Sequence, residues 1–211
     1  MDDTGKPGEA GRPGEPAVRQ VGTRVVYENP WMVVREDEVE RLDGSRGIYG
    51  VVDKPDFVLV IPVEGDGFHL VEEYRYPIGK RTWNFPQGSL PGREDADPEE
   101  LARLELAQET GLRAGTLKHL GHLHCSHGTS GQGFNIFVAS DLRAGETDRE
   151  PEEQDMRQKW FSRDEFTALV REGRITDDST LAAFALLTMD DQLTADDQLT
   201  AGDRVNRNGT S

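Results

Sequence analysis

Positive charge is scarce in this chain. Lys and Arg total 24 against 40 Asp and Glu, so the 211 residues carry a net charge of −16. A chain this acidic lacks the cationic surface that non-specific nucleic-acid binding requires, and it has little attraction for an anionic membrane. A nucleotide ligand stays open, because carboxylates can hold divalent cations that in turn hold phosphates. Cysteine is almost absent. Cys125 stands alone, which excludes an internal disulfide and fits a reducing compartment. No apolar run approaches the roughly 20 residues needed to span a bilayer, and the N-terminal stretch has no apolar core of a secretory signal. The expectation is a soluble, cytoplasmic protein with no membrane or nucleic-acid partner.

Composition divides the chain in three. Residues 1–20 are rich in Gly, Pro and charge and bury too little apolar area to offset chain entropy, so they are expected to be disordered. Residues 189–211 repeat the hexapeptide DDQLTA and are expected to form an acidic, solvated tail. Between them, 21–188 read as one domain. TRVVYENPWMVVREDEVERLDG alternates like a strand pair. IYGVVDKPDFVLVIPVEGDGFHLVEEYRYPI adds three β-branched runs, broken at Lys-Pro-Asp and Gly-Asp-Gly. Asp97-Pro98 is a helix start, and the helix should stop at Gly111. GTLKHLGHLHCS and GFNIFVASDL read as strands around a Gly-rich loop, 127–133. QKWFSRDEFTALVREG reads as a strand and a helix, and DDSTLAAFALLTM as a last helix. The class is α+β, or a mixed sheet with helices on its faces.

The chemistry concentrates in PQGSLPGREDADPEELARLELAQETGL, residues 86–112. On a helix, Glu105 and Glu109 share a face, with Gln108 beside them. Carboxylates at i and i+4 repel unless a positive group lies between them. A hard divalent cation with oxygen ligands is one such group, and a solvated charged face is the ordinary alternative. The Pro86-Gln87-Gly88 loop offers backbone carbonyls to the same place.

The whole segment resembles the Nudix box, G-x5-E-x7-R-E-U-x-E-E-x-G-U, where U is a bulky apolar residue. Gly88, Glu94, Glu105, Leu106, Glu109, Gly111 and Leu112 match by type. The chain departs from the motif in three ways: nine residues, 95–103, follow Glu94, Leu104 stands at the arginine, and Gln108 replaces the first glutamate of the final pair. VEEYRYPIGKRTWNFPQGS, HCSHGTSGQGFNIFVASDL and EEQDMRQKWFSRDEFTALVREGRITDDSTLAAFALL resemble flanking segments of the ADP-ribose pyrophosphatase-like branch.

The resemblance implies a Nudix fold, an α/β/α sandwich with a mixed β-sheet. It also implies hydrolysis of the pyrophosphate in a nucleoside diphosphate derivative, most simply ADP-ribose or a nucleotide sugar, with Mg2+ or Mn2+ as cofactor. Carried over by position, Glu109 is the main metal ligand and Glu105 the second, with the backbone carbonyl of Gln87 and the amide oxygen of Gln108 as further donors. Glu94 orients the cluster or ligates through water. Arg75 contacts the diphosphate or terminal ribose, and Trp83 either packs or stacks near the base.

In the later loop, Gly128 and Gln132 fall where the branch places substrate contacts and a catalytic glutamate. Gln132 is a neutral amide and cannot act as a base. The base is then expected from elsewhere: Glu153, with Glu152 and Asp155, is a candidate by its nearness in sequence, and His124 and His127 are others. The branch also implies a homodimer. Two alternatives stand beside this reading. One is a domain impaired in catalysis that binds a nucleotide as a sensor or docking module. The other is a hydrolase of dinucleoside polyphosphates or RNA 5′ ends, which the net charge disfavours for RNA.

Overall fold

A computed structural model describes residues 16–89, 97–147 and 155–207. They fall into two compact units, one drawn from Met1–Pro55 and His124–Gln132, the other from Asp56–Leu123 and Gly133–Ser211.

The first unit is an antiparallel meander of β1 (Val18–Asn29), β2 (Met32–Arg41) and β3 (Arg46–Asp53). The turns are set by short polar side chains. The Asn29 carboxamide oxygen accepts from the amides of Trp31 and Met32, both at 2.9 Å, and the Asp43 carboxylate accepts from the Ser45 amide at 2.9 Å. Both are Asx turns, which these residue types favour. The loop segment 124–132 is held on β3, where the Val52 amide donates to the Thr129 carbonyl and the Ser130 hydroxyl donates to the Val52 carbonyl at 2.7 Å.

The second unit is built on a mixed sheet in the order β10-β5-β4-β9-β8, with β6 against β5 and β7 against β4. Its strands are β4 (Phe57–Glu64), β5 (Gly67–Arg75), β6 (Lys80–Asn84), β7 (Gln87–Gly88), β8 (Leu112–His124), β9 (Gly133–Ala144) and β10 (Arg157–Ser162). Its helices are α1 (Pro98–Thr110), α2 (Arg163–Arg171) and α3 (Asp178–Arg207). β4 runs parallel to β9 and antiparallel to β5.

Strand periodicity determines which helix covers which face. Val58 and Val60 form a buried cluster with Leu101, Ala102 and Leu106 of α1 and with Phe137 and Ala139 of β9. Leu59 and Ile61 alternate with them and point the other way. Val63 lies on that second face, and its partner across the hairpin is Phe68. The Phe68 ring stands edge-on to Phe166 of α2 and Phe184 of α3. Helices therefore cover both faces, which makes an α/β/α sandwich around a mixed sheet.

α1 shows why its ends fall where they do. The Asp97 carboxylate accepts from the amides of Glu99 and Glu100, Pro98 takes the first turn, and Gly111 closes the helix at φ 74°. Removing the cap, Asp97→Ala, is expected to cost about 1 kcal/mol, read as a lower urea midpoint with an unchanged m-value. β6 and β7 are elements that the alternation pattern did not reveal.

Of the segment expected to be disordered, residues 1–15 lie outside the described residues, and β1 already begins at Val18. The segment expected to be a tail from 189 differs from expectation: α3 runs on to Arg207. Two of its acidic residues have partners, Asp190 with Lys118 at 2.6 Å and Asp191 with Arg163 at 3.2 Å. Leu, Ala and Gln in the repeat are good helix formers. Among the described residues no helix is long and apolar enough to cross a membrane.

Candidate active site

The site is the place where α1 meets the short strand β7. The first link is a backbone one. Gln87 and Gly88 pair with Leu59 and Val58 of the central strand, and the Val60 amide donates to the Pro86 carbonyl at 2.9 Å. The segment 86–88 is thus fixed along the edge of β4. α1 then lays its buried stripe, Leu101, Ala102, Glu105, Leu106 and Glu109, toward the sheet. The apolar members enter the core, while Glu105 and Glu109 are placed at the β7 end of that contact, with only 6% and 2% of their surface exposed.

Each carboxylate touches the loop differently. The Gln87 amide donates to Glu109 Oε2 at 3.3 Å. The Glu105 carboxylate lies flat against Gly88, so close that a Cβ at position 88 would stand 2.5 Å from Glu105 Oε2. Gly88 is therefore required as the residue without a side chain at this close approach, not for an unusual φ. The side-chain oxygen of Gln87 is buried and has no hydrogen-bond partner among the described residues, and Gln87 pairs with Leu59, whose side chain points away from α1. Gln108, also expected as a ligand, is half-buried at the rim of the helix stripe. Leu104, in place of the motif arginine, is 38% exposed.

These residues fit a hard divalent cation. Two nearly buried carboxylates supply the oxygen donors such an ion takes, and the bare Cα of Gly88 leaves the Glu105 carboxylate room. Among the described residues no group of three or more His, Cys, Asp or Glu side chains forms a metal-sized cluster. Glu94, the remaining box carboxylate, lies outside the described residues, and so do Glu152 and Glu153.

The other expected site residues have definite surroundings. Arg75 ends β5 and pairs with Glu73 at 2.6 Å. With Pro77, Ile78, Thr82, Asp177 and Asp178 it lines a cavity of about 420 Å³, a size in the range of small-molecule pockets. Trp83 is 6% exposed and stands edge-on to Phe161 with ring centroids 4.8 Å apart. Asp155, a candidate base, is bound by Arg81 through both its carboxylate and its carbonyl. That carboxylate, together with Glu72, raises the Arg81 guanidinium further above its ordinary pKa, although burial opposes the shift. His124 and His127 are exposed.

In the first unit, the Gln132 side chain donates to the Pro55 carbonyl at 2.7 Å, and its backbone amide donates to the Ser130 hydroxyl. The Gly128 carbonyl accepts from the Tyr49 hydroxyl at 2.7 Å. Gly128 thus ties the loop to β3, and Gln132 ties it to Pro55 just beyond that strand.

Sequence reasoning did not find Glu73, which holds Arg75, or Thr180, whose hydroxyl accepts from the Phe85 amide at 3.1 Å. Thr180 lies 95 positions from Phe85, and the one local hint was its place three residues after Asp177 at a helix start.

Comparison with known proteins places the chain among characterised relatives. A family model described as the NUDIX domain matches residues 53–184, and one described as the nucleoside diphosphate sugar hydrolase N-terminal domain matches residues 18–52. The chain is 27% identical over 164 residues to the ADP-ribose pyrophosphatase of Mycobacterium tuberculosis (strain ATCC 25618 / H37Rv), covering 77% of this chain and 79% of that protein. It is also 27% identical over 179 residues to the methanol dehydrogenase activator of Bacillus methanolicus, covering 83% and 95%. A crystal structure of an ADP compounds hydrolase superposes with a TM-score of 0.73 at 21% identity, over 82% of this chain and 94% of that one. At that identity the likeness is one of fold.

Proposed function

Because this chain belongs to the Nudix family of hydrolases, we propose that it splits the pyrophosphate bond of a nucleoside diphosphate derivative, ADP-ribose or a nucleotide sugar, with Mg2+ or Mn2+ as cofactor. The observation that carries the reading is the meeting of the Glu105 and Glu109 carboxylates with the Gln87–Gly88 backbone. ADP-ribose is favoured within the class because the Mycobacterium tuberculosis relative carries that activity in its name.

When bound, the cation neutralises diphosphate charge and makes a coordinated water a nucleophile at neutral pH. The chain's own residues do the rest. Glu109 and Glu105 hold the cation, and the Gln87 amide keeps the Glu109 carboxylate in place. The Gln87 backbone carbonyl and the half-buried Gln108 supply neutral donors. Arg75, already oriented by Glu73, is available to the diphosphate or to the terminal sugar. By position in the family motif, Glu94 is assigned to orient the cluster or to ligate through water, and Gly128 and Gln132 to substrate binding; Glu153, by its nearness in sequence, is assigned to accept the proton from water. The test is a panel of nucleoside diphosphate derivatives incubated with Mg2+ or Mn2+. Monophosphate release from ADP-ribose or a nucleotide sugar is expected; release from dinucleoside polyphosphates alone would move the substrate class.

A second reading, nucleotide binding without turnover, is favoured by Gln108 in place of a box carboxylate and by the engagement of the Gln132 amide with Pro55. The name of the Bacillus methanolicus relative, an activator of another enzyme, is compatible with it. Calorimetry showing ADP-ribose binding with no product on any substrate of the panel would select this reading.

The protein is further proposed to act as a cytoplasmic homodimer. In support, Val25 and Val26 of β1 are 56% and 47% exposed, with Trp31 and Ile48 also exposed. Such apolar surface on a sheet that small is normally covered. Light scattering is expected to give twice the chain mass; a monomer at micromolar concentration would refute the dimer.

A further inference from the structure

We propose that Thr180, on α3, is a positioning residue for the cation site, acting through the backbone of Phe85–Gly88. The inference rests on the reading that Glu105 and Glu109 hold the cation.

Three consecutive residues of this segment are tied to three different elements. The Phe85 amide donates to the Thr180 hydroxyl of α3 at 3.1 Å. The Pro86 carbonyl accepts from the Val60 amide of β4 at 2.9 Å. The Gln87 amide donates to Glu109 Oε2 of α1 at 3.3 Å. Pro86 has no N–H, so the donors that orient the chain on either side of it are those of Phe85 and Gln87. The Gln87 contact is long for an N–H···O bond. It does not fix the loop by itself; the pairing with β4 holds the segment from Pro86 onward, and the bond from Phe85 to Thr180 holds its start.

Thr180 is built for that task. It is fully buried, its own amide donates to the Asp177 carboxylate at 2.7 Å, and its β-branched side chain has few rotamers open to it. The hydroxyl is therefore a fixed acceptor at the start of the loop. The Phe85 ring is equally constrained, stacked on Phe166 and edge-on to Phe68. Replacing the hydroxyl by a methyl group keeps the volume, leaves the buried Phe85 amide unpaired, and frees the segment to move away from α3. The carboxylate aimed by the next amide along would then lose its orientation.

The test is Mn2+ binding to the full-length protein without substrate, followed by the electron paramagnetic resonance signal of free Mn2+. For Thr180→Val the dissociation constant should rise about 10- to 100-fold, the usual effect of removing a residue that orients a ligand, while Thr180→Ser stays close to wild type. Thr180→Cys, with its weak acceptor, should fall between them and carries the test if the valine variant does not fold. A merely structural role would lower the melting temperature of the metal-free protein and leave the Mn2+ constant unmoved. Wild-type affinity in Thr180→Val, or in Thr180→Cys when it stands alone, would overturn this inference alone. Mn2+ binding unaffected by Glu109→Gln would overturn the cation-site reading, and this inference with it.

Discussion

Replacing Glu109 by Gln is expected to lower kcat/KM on the best substrate by more than about 100-fold, beyond the range found when residues around a metal's ligands are changed. The substitution is nearly isosteric, and the new amide still offers an oxygen to the Gln87 N–H that now donates to Glu109 at 3.3 Å. Fold and loop should therefore persist, and far-UV circular dichroism should match wild type. What disappears is one negative charge from a group only 2% exposed. In surroundings that exclude water, a carboxylate is the stronger ligand for a hard cation. The loss should appear at every Mg2+ concentration accessible to the assay, with partial recovery only at the highest. A variant that retains full rate would show that Glu109 is not a ligand of the catalytic ion.

Gly88→Ala should lower turnover about 10- to 100-fold by a different route. The added Cβ would stand 2.5 Å from Glu105 Oε2 and 2.6 Å from the carboxyl carbon, a separation that non-bonded atoms do not adopt. The neighbour that must yield is the end of a flexible side chain rather than backbone. The β7 pairing with β4 should survive, and the melting temperature of the metal-free protein should change little. The displaced group is the second carboxylate of the site. Activity and Mn2+ affinity should therefore fall together, without a matching loss of stability. If activity and stability instead fall in proportion, Gly88 serves the fold and not the site.

The helix that carries both carboxylates was legible in the sequence because its signals are local. Asp97, Pro98 and Gly111 mark its ends through their own backbone chemistry. The hairpin of β4 and β5 was legible for the same reason: Gly65, in the Gly-Asp-Gly stretch, defines its turn whatever surrounds it. The partners of the loop were not legible. β7 is two residues long and exists only because β4 lies beside it, so no periodicity announces it. Thr180, the Pro55 carbonyl that binds Gln132 and the carboxylate facing Gly88 are all tertiary neighbours.

The repeat after Met189 misled in the opposite direction. Its acidity suggested a tail, yet Lys118 and Arg163 provide partners for Asp190 and Asp191, and α3 continues through it. The charge balance of the whole chain gave no indication of these two local cations.

The most direct measurement of the central claim is a crystal structure of the protein soaked with Mn2+ and a non-hydrolysable ADP-ribose analogue, using the anomalous signal of the metal. The account predicts a peak about 2.0–2.3 Å from carboxylate oxygens of Glu105 and Glu109, at the edge of the Gln87–Gly88 segment, as expected for a small divalent cation with oxygen ligands. Mn2+ bound elsewhere beside the analogue, with neither glutamate in its shell, would contradict it.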